Sequence, residues 1–341
     1  MNKTDNVIYS GGKQVYLPLE KGGHVMLREK GFYKGINLGG WLSQCDYSDD
    51  RLNNFIKEED IAKISAWGLD HVRVPVDYNV LENEDGTYKT EGFERIEKAI
   101  AWCQKYNLKM VLDLHKTAGF SFDAGHNETG FFDSLRLQER FYCLWEELAR
   151  YFGKYSEFVA FELLNEVTDQ KFIGLWNKIS YECIKRIREI APDTLILVGS
   201  YHNNSAVAVK DLAAPYDDKV VYNFHCYDPL HFTHQGAYWV DSLDRNARVP
   251  FEESGVDVAF FEELFASAVE AAKKNNTELY CGEYGVIDIV SPEDAVKWYK
   301  VINQVLEKYD IARSAWSYKE MDFGISDTRM DGVREELLRY L

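Results

Sequence analysis

The residues of this chain that could carry chemistry stand where short apolar runs end. Two of them are glutamates: Glu166 follows the run at Phe158–Leu164, and Glu283 follows the run that begins at Glu278. Other apolar runs are also followed directly by residues with polar or aromatic side chains. An ordinary protein core has no packing need for such a set, so the combination predicts a functional site. Its further members are Arg73, Asp113, His115, Asn165, His225, Tyr227 and Trp316.

Two facing carboxylates are suited to breaking a glycosidic bond. One carboxyl group must be protonated so that it can give its proton to the leaving oxygen, and the other must be ionised so that it can attack the anomeric carbon. A separation of roughly 5–5.5 Å between Glu166 and Glu283 would make the reaction retaining, with a covalent glycosyl intermediate. Arg73 beside the attacking carboxylate would keep it charged, and Tyr227 could donate a hydrogen bond to it. The acid must lie where its charged form is less favoured.

Eight strand-like runs, each followed by a helix-like run, must position these groups. Because short apolar strands suit a sheet buried on both faces, we predict a single α/β domain over residues 1–341, a (β/α)8 TIM barrel. Chemistry in such barrels occurs at the carboxyl ends of the strands. We expect residues 1–30 to form an N-terminal hairpin with its turn at Lys21–His24, and a long loop to follow strand six. The predicted strands are Phe32–Leu38, His71–Pro75, Leu108–Leu114, Phe158–Leu164, Thr194–Val198, Lys219–Phe224, Glu278–Cys281 and Ala312–Trp316.

Composition narrows the possible partners and the compartment. The chain has 39 Lys and Arg against 56 Asp and Glu, a net charge of −17, which argues against nucleic acid and against an anionic membrane because phosphates would be repelled. The N-terminus shows no secretory signal, and the six cysteines are scattered singly. We therefore expect free thiols and a cytoplasmic protein, or a secreted one if a signal was trimmed. Aromatic residues make up 14% of the chain, which suits a neutral polyhydroxyl ligand or simply a well-packed core.

Seven motifs, in order, resemble those of glycoside hydrolase family 5, the cellulase family. They are G-I-N-L-G-G-W, H-V-R-V-P, D-L-H, L-L-N-E, N-F-H-x-Y, G-E-Y-G and the Trp of strand eight. The resemblance covers nearly the whole chain from Gly35. The segment from His231 to Trp239 is similar to a loop of the clostridial intracellular endoglucanase C group. The resemblance implies a retaining endo-acting β-glucanase that cleaves β-1,4 bonds in soluble cellulosic or mixed-linkage glucans and oligosaccharides, without metal or cofactor.

The same resemblance implies a role for each matching residue. Glu166 is expected to be the general acid/base and Glu283 the nucleophile. Asn165 is expected to bind the sugar 2-hydroxyl, and Trp316 to be the platform for the sugar ring. Lys116 stands where many members of the family carry a second His, so the resemblance does not determine which sugar the neighbouring subsites bind. The substrate-binding assignments are Arg73, His115, Asn165, His225, Tyr227 and Trp316, with Asn37, Lys116 and Trp239 as further candidates; for Trp239, sugar stacking and loop anchoring are both open.

Three other functions are compatible with these residues. An exo-acting β-1,3-glucanase or β-glucosidase would have one end of its cleft blocked, and the loops Gly119–Asp133 and Asp228–Ser254 could supply the block. A β-mannanase would use the same machinery, because recognition of the sugar O2 cannot be read from sequence. A non-catalytic sugar-binding barrel is a distant third, since both glutamates and their supporting residues are present. We expect a monomer.

Two nearby groups of residues have simpler explanations than catalysis. Asp113, His115 and His225 could bind a metal, but metal-dependent barrel hydrolases usually carry an H-x-H on the first strand, and residues 35–40 have none. We therefore predict no metal site. Glu162 lies inside a strand four residues before Glu166, which is deeper in the barrel, so we predict that it forms a core ion pair.

Overall fold

One closed parallel sheet organises this molecule. The structure is a computed structural model, and it describes residues 7–10, 13–16, 27–123 and 128–341. The strands of the closed sheet are hydrogen-bonded in the order β10-β3-β4-β5-β6-β7-β8-β9, so the last strand pairs with the first. The predicted (β/α)8 barrel is confirmed. The strands of the described residues are β1 Val7–Ser10, β2 Lys13–Tyr16, β3 Lys34–Asn37, β4 His71–Asp77, β5 Lys109–Lys116, β6 Val159–Glu162, β7 Ile196–Val198, β8 Val220–Cys226, β9 Leu279–Tyr284 and β10 Ala312–Ala315.

Helices follow the barrel strands and cover the outside of the sheet. The long ones bury an apolar stripe that recurs at helical spacing, as Phe141, Leu144 and Leu148 do on α6. The same helix begins at Ser134, whose hydroxyl accepts a hydrogen bond from the Leu137 N–H. The helices are α1 Leu27–Lys30, α2 Asp49–Asn54, α3 Glu58–Ala66, α4 Tyr78–Leu81, α5 Thr90–Lys105, α6 Leu135–Phe152, α7 Ile173–Ile190, α8 Tyr201–Asn204, α9 Leu230–Thr233, α10 Val258–Asn275, α11 Pro292–Lys308 and α12 Arg334–Leu337.

A two-stranded antiparallel hairpin lies within the predicted N-terminal extension. Strands β1 and β2 pair antiparallel, with Val7 opposite Tyr16 and Ser10 opposite Lys13. The turn that we predicted at Lys21–His24 lies outside the described residues. The long loop predicted after strand six is present between β8 and α10, and among the described residues of that loop the only α-helix is α9.

The barrel interior has an apolar lower layer and a charged upper layer. Along β5, Val111, Asp113 and His115 share one face because side chains two residues apart point the same way. Val111 belongs to a buried apolar cluster at the lower level, whereas Arg73 and Glu162 are fully buried above it. The folded sheet thus brings ionisable groups to the carboxyl ends of its strands. In the described part of the chain, no helix has the length and apolar character needed to cross a bilayer.

Candidate active site

The carboxyl ends of the barrel strands surround an open cleft of about 680 Å³. Glu166, just after β6, and Glu283, near the end of β9, both line this cleft. Two strands separate β6 from β9 in the closed sheet, so the two carboxylates approach from different parts of the wall. The cleft therefore unites residues that lie far apart in sequence. The other predicted residues that line it are His115, His225, Tyr227, Trp239 and Trp316.

The two carboxylates meet around the imidazole of His225. Glu166 and Glu283 each offer an oxygen within 4.8 Å of the other and of a ring nitrogen of His225. His225 Nδ1 lies 2.7 Å from Glu166 Oε1 and 3.6 Å from Glu283 Oε2. Burial lowers the pKa of His225, but the charge of Glu283 and the hydrogen bond to Glu166 outweigh burial and raise it. The imidazole thus lies between both carboxylates, and their negative charge favours its protonated form.

Arg73 ties one of the carboxylates to the barrel interior. Its Nη1 donates to Glu283 Oε1 at 2.7 Å and to Asn37 Oδ1 at 2.9 Å. Its Nε and Nη2 donate to the two oxygens of Glu162 at 2.7 and 2.8 Å, and Nη2 lies 3.0 Å from Asp113 Oδ2. The predicted core ion pair of Glu162 is confirmed. A bidentate guanidinium fixes both the position and the charge of its carboxylate partners.

Glu283 is held in its ionised form. The Tyr227 hydroxyl donates a hydrogen bond to Glu283 Oε2 at 2.9 Å. Burial raises the pKa of this carboxyl group. The positive charges of His225, Arg73 and His115, followed by the Tyr227 hydrogen bond, outweigh burial and lower the pKa to about 2. An ionised carboxylate in a fixed orientation is what nucleophilic attack requires.

Glu166 has different surroundings, one of which the sequence did not reveal. Its Oε1 pairs with His225 Nδ1, and its Oε2 accepts a hydrogen bond from Asn203 Nδ2 at 2.9 Å. Asn203 lies in α8, just beyond β7, and it lines the cleft. The only sequence signal for it is weak: two adjacent asparagines follow a predicted strand. The remaining unpredicted side chains of the cleft are Gln44, Phe122, Asp123, His202, Ser205, Asp228, Leu230, His234, Tyr238, Val240, Met321, Asp322 and Phe323.

Trp316 and His115 form a parallel pair of rings at the cleft. Their planes differ by 4° and their centroids lie 6.0 Å apart. His115 Nδ1 lies 2.6 Å from Asp113 Oδ2, and this contact orients the imidazole. A Cβ atom at Gly39 would lie 2.8 Å from the Trp316 ring, so only glycine leaves room for the indole there. The indole is positioned to offer an apolar face to a ligand.

Trp239 lines the cleft from the segment between β8 and α10. It is 42% exposed and Tyr238 beside it is 69% exposed. The two rings meet edge to face with centroids 4.8 Å apart. A large aromatic ring that stays exposed inside a cleft is better placed to contact a ligand than to anchor the loop, so this arrangement favours the first of the two roles that the sequence left open.

Four of the predicted substrate-binding residues do not line the cleft surface. Asn165, 0% exposed, keeps its Nδ2 without a hydrogen-bond partner among the described residues, whereas the other three are held by neighbouring groups. Asn37 and Arg73 are both 0% exposed, and Asn37 Nδ2 donates to the Gly282 carbonyl at 2.9 Å. Lys116 is 7% exposed, and its Nζ lies 3.5 Å from Asp77 Oδ2. Lys116 directly follows His115 on β5, so its side chain points to the opposite face of the strand. We therefore place these three residues in the support of the site and not in contact with a ligand.

The carboxylate and imidazole groups of the cleft are better suited to acid–base and nucleophilic catalysis than to holding a metal ion. Within the described residues, the only group with closely placed ligand atoms is Glu166, His225 and Glu283. The set that the sequence raised, Asp113 with His115 and His225, does not form such a group there. A cation would compete with the Arg73 guanidinium, which already lies 2.7 Å from Glu283. Independence from metals and cofactors stays a prediction, which activity after chelator treatment tests.

Comparisons with known proteins converge on one family. The family model described as cellulase (glycosyl hydrolase family 5) matches residues 33–322. Cellodextrinase A of Ruminococcus flavefaciens is 60% identical over 84% of this chain and 86% of its own length. Endoglucanase C of Acetivibrio thermocellus is 39% identical over 91% of this chain and 98% of its own length. Among solved structures, endoglucanase Cel5A from Thermotoga maritima matches with a TM-score of 0.80 and 28% identity, covering 93% of this chain and 99% of that one.

Proposed function

This chain belongs to glycosyl hydrolase family 5, the cellulase family, and we propose on that basis that Glu166 and Glu283 together cleave β-1,4-glucosidic bonds by double displacement. The family resemblance, the enzyme class and endo-acting hydrolysis of β-glucans, all predicted from the sequence, are confirmed. The observation that supports the two residue roles is the difference between the two carboxylates. Glu283 is paired with a guanidinium, whereas Glu166 is held by an imidazole and an amide.

In the first proposed step, Glu283 attacks the anomeric carbon of the bound sugar. A bond forms between its carboxylate oxygen and that carbon, while the bond to the glycosidic oxygen breaks. Glu166 transfers its proton to that oxygen, so the leaving sugar departs as an alcohol. One carboxylate oxygen of Glu166 and one of Glu283 lie within 4.8 Å of each other. That spacing supports direct attack, because enzymes that invert need about 6.5–9.5 Å to fit a water between the carboxyl groups.

In the second proposed step, water replaces the enzyme on the sugar. Glu166, now ionised, takes a proton from the water while the water oxygen forms a bond to the anomeric carbon. The bond between that carbon and the Glu283 carboxylate oxygen breaks. His225 bridges both carboxylates at 2.7 and 3.6 Å, so it can stabilise whichever of them is charged. The sugar leaves with its original configuration, and both carboxyl groups return to their starting protonation.

The sugar in the cleavage site has an aromatic and a polar neighbour. We assign the face of Trp316 to stacking against the sugar ring, since the indole lines the cleft beside His115. Asn165 Oδ1 accepts from Arg73 Nη2 at 2.9 Å, while its Nδ2 has no hydrogen-bond partner among the described residues. A buried donor without a partner is costly, so a sugar hydroxyl is a suitable acceptor for it. We assign this contact to the 2-hydroxyl.

We propose short, soluble β-1,4-glucans as the preferred substrates. The support is the 60% identical relative, which is named a cellodextrinase. β-Mannan is a second candidate, because a neighbour at 26% identity and TM-score 0.77 was solved with mannotriose. An exo-acting β-1,3-glucosidase has weaker support, from a relative of that probable activity that is 28% identical over 48% of this chain. The oligomeric state stays a prediction of a monomer, which size-exclusion chromatography tests.

Hydrolysis of a substrate panel tests the proposed function. β-1,4-glucan, β-1,3-glucan, mixed-linkage glucan and mannan are digested, and the products are sized over time. We expect a ladder of oligosaccharides from β-1,4-glucan, and release of glucose alone from the first time point would contradict endo action. Glu283→Gln should lower kcat/KM at least about 10³-fold with an unchanged circular dichroism spectrum. Glu94→Gln, on the exposed side of α5, is the matched control and should keep full activity.

A further inference from the structure

An unusual backbone segment stands beside the proposed acid. His202, Asn203 and Asn204 are consecutive residues of α8 with left-handed φ values of 49°, 55° and 56°. The left-handed region is costly for any residue with a Cβ, although asparagine tolerates it better than most residues. Such strain persists only where the surroundings determine the conformation, and it concentrates at functional sites. A loop that only connected β7 to the following helical segment would not need three consecutive left-handed residues.

Contacts on both sides fix this left-handed turn. The Asn203 N–H donates to the Val167 carbonyl at 3.1 Å, next to Glu166 in sequence. The Ser205 N–H donates to the Tyr201 carbonyl at 3.1 Å, and Ser205 also forms a parallel bridge with His225. The backbone before and after Asn203 is therefore tied to the chain segments that carry the acid and its imidazole partner.

Of the two asparagines in the turn, one contacts Glu166 and the other approaches His225. Asn203 Nδ2 donates to Glu166 Oε2 at 2.9 Å, while His225 Nδ1 lies 2.7 Å from Oε1. The Asn204 amide is fully buried and approaches the other ring nitrogen of His225 at 3.4 Å. Because the imidazole occupies Oε1, Oε2 is the oxygen that remains to deliver a proton. Its single amide contact leaves room for a proton on the same oxygen.

We propose that Asn203 is a positioning residue for acid catalysis, whose amide holds Glu166 Oε2 toward the oxygen of the leaving sugar. In that step the Oε2–H bond breaks, a bond forms between the proton and the glycosidic oxygen, and the electrons of the breaking C–O bond go to that oxygen. Without the amide, the carboxyl group keeps one hydrogen bond, at Oε1, and Oε2 is free to turn away. This inference rests on the proposed function, because it requires Glu166 to be the acid.

Leaving groups of different acidity separate this role from a structural one. Asn203→Gly removes the amide but keeps the left-handed backbone accessible. Cellotetraose needs a proton on its leaving oxygen, whereas 2,4-dinitrophenyl β-cellobioside scarcely does. We expect kcat/KM of Asn203→Gly to fall about 10–100-fold for cellotetraose, since a misplaced catalytic group costs about that much. For the dinitrophenyl substrate, we expect a loss at least about tenfold smaller. Equal losses on both substrates, or no loss on cellotetraose, would overturn the proposal.

Three further variants make the outcome unambiguous. Glu166→Ala should show the same dependence on the leaving group, and more strongly. If Glu166→Ala lacks this dependence, the proposed function fails. If Glu166→Ala shows the dependence and Asn203→Gly does not, only this inference fails. Asn276→Gly is the matched control, because Asn276 is also left-handed, with φ 56°, but caps α10 far from the cleft. It should keep wild-type kinetics. Should Asn203→Gly not fold, Asn203→Ser gives the same comparison, and equal losses for both substrates again refute the proposal.

Discussion

Removal of the Tyr227 hydroxyl tests how Glu283 is kept ionised. Tyr227 donates to Glu283 Oε2 at 2.9 Å, and this bond helps to lower the carboxyl pKa, against the effect of burial, to about 2. A hydrogen bond to a charged group contributes about 1.5–3 kcal/mol. At 1.36 kcal/mol per unit, loss of the bond should raise the pKa of Glu283 by about 1–2 units. The raised pKa protonates the nucleophile at a higher pH, so the acidic limb of activity should move upward by the same amount in Tyr227→Phe.

The assay for Tyr227→Phe is the pH dependence of kcat/KM on 2,4-dinitrophenyl β-cellobioside. This substrate barely needs an acid, so its acidic limb reports on the nucleophile. Short reactions between about pH 2 and 8, a range that reaches the wild-type pKa of Glu283 at about 2, are paired with circular dichroism at each pH, so that unfolding is separated from titration. Tyr222→Phe is the matched control. Tyr222 lies toward the opposite end of β8, and its hydroxyl donates to the Ala213 carbonyl. An acidic limb that stays in place, or moves to lower pH, would refute the reasoning.

Three further variants test the charged layer and the aromatic platforms. Glu162→Gln removes a fully buried partner of Arg73 and should reduce the free energy of unfolding by about 3–5 kcal/mol in urea titrations; a loss below about 1 kcal/mol would contradict the assigned ion pair. Gly39→Ala places a Cβ 2.8 Å from the Trp316 ring and should destabilise by about 1–3 kcal/mol while lowering kcat/KM, so unchanged kinetics would argue against the platform. Trp239→Ala should raise KM for cellotetraose about fivefold with an unchanged melting temperature, whereas a lower melting temperature with unchanged KM would indicate a loop anchor.

The barrel was predictable because its strands follow simple rules. Runs of buried apolar residues mark the strands, and their alternation with helices marks a parallel sheet. The ends of the strands were less predictable. Strand β9 continues to Tyr284 because Glu283 still pairs with His225 of β8, although Gly282 and Glu283 carry no apolar signal. Catalytic rims interrupt the hydrophobic pattern, so sequence reasoning shortens the strands where the chemistry is located.

The site was predictable to the extent that side chains follow strand parity. Along β5, alternation places His115 toward the interior and Lys116 on the other face, and this rule would have excluded Lys116 from the cleft. Asn203 could not have been found in this way. Its position depends on three left-handed residues, and φ is not encoded in any spacing of residue types. Motifs identify the groups that react, whereas the groups that orient them depend on backbone geometry.

The charges beneath the cleft explain why the two histidines accompany the two glutamates. One guanidinium, Arg73, contacts the carboxyl groups of Asp113, Glu162 and Glu283, so acidic groups outnumber it. Burial, only partly opposed by Arg73, raises the pKa of Glu162. The pKa values of the two imidazoles, His115 and His225, are raised above their ordinary value although burial lowers them, chiefly through Asp113 and Glu283 respectively. These surroundings favour the protonated form of both imidazoles, and the positive charge that they add beside Glu283 helps to keep this buried carboxylate ionised.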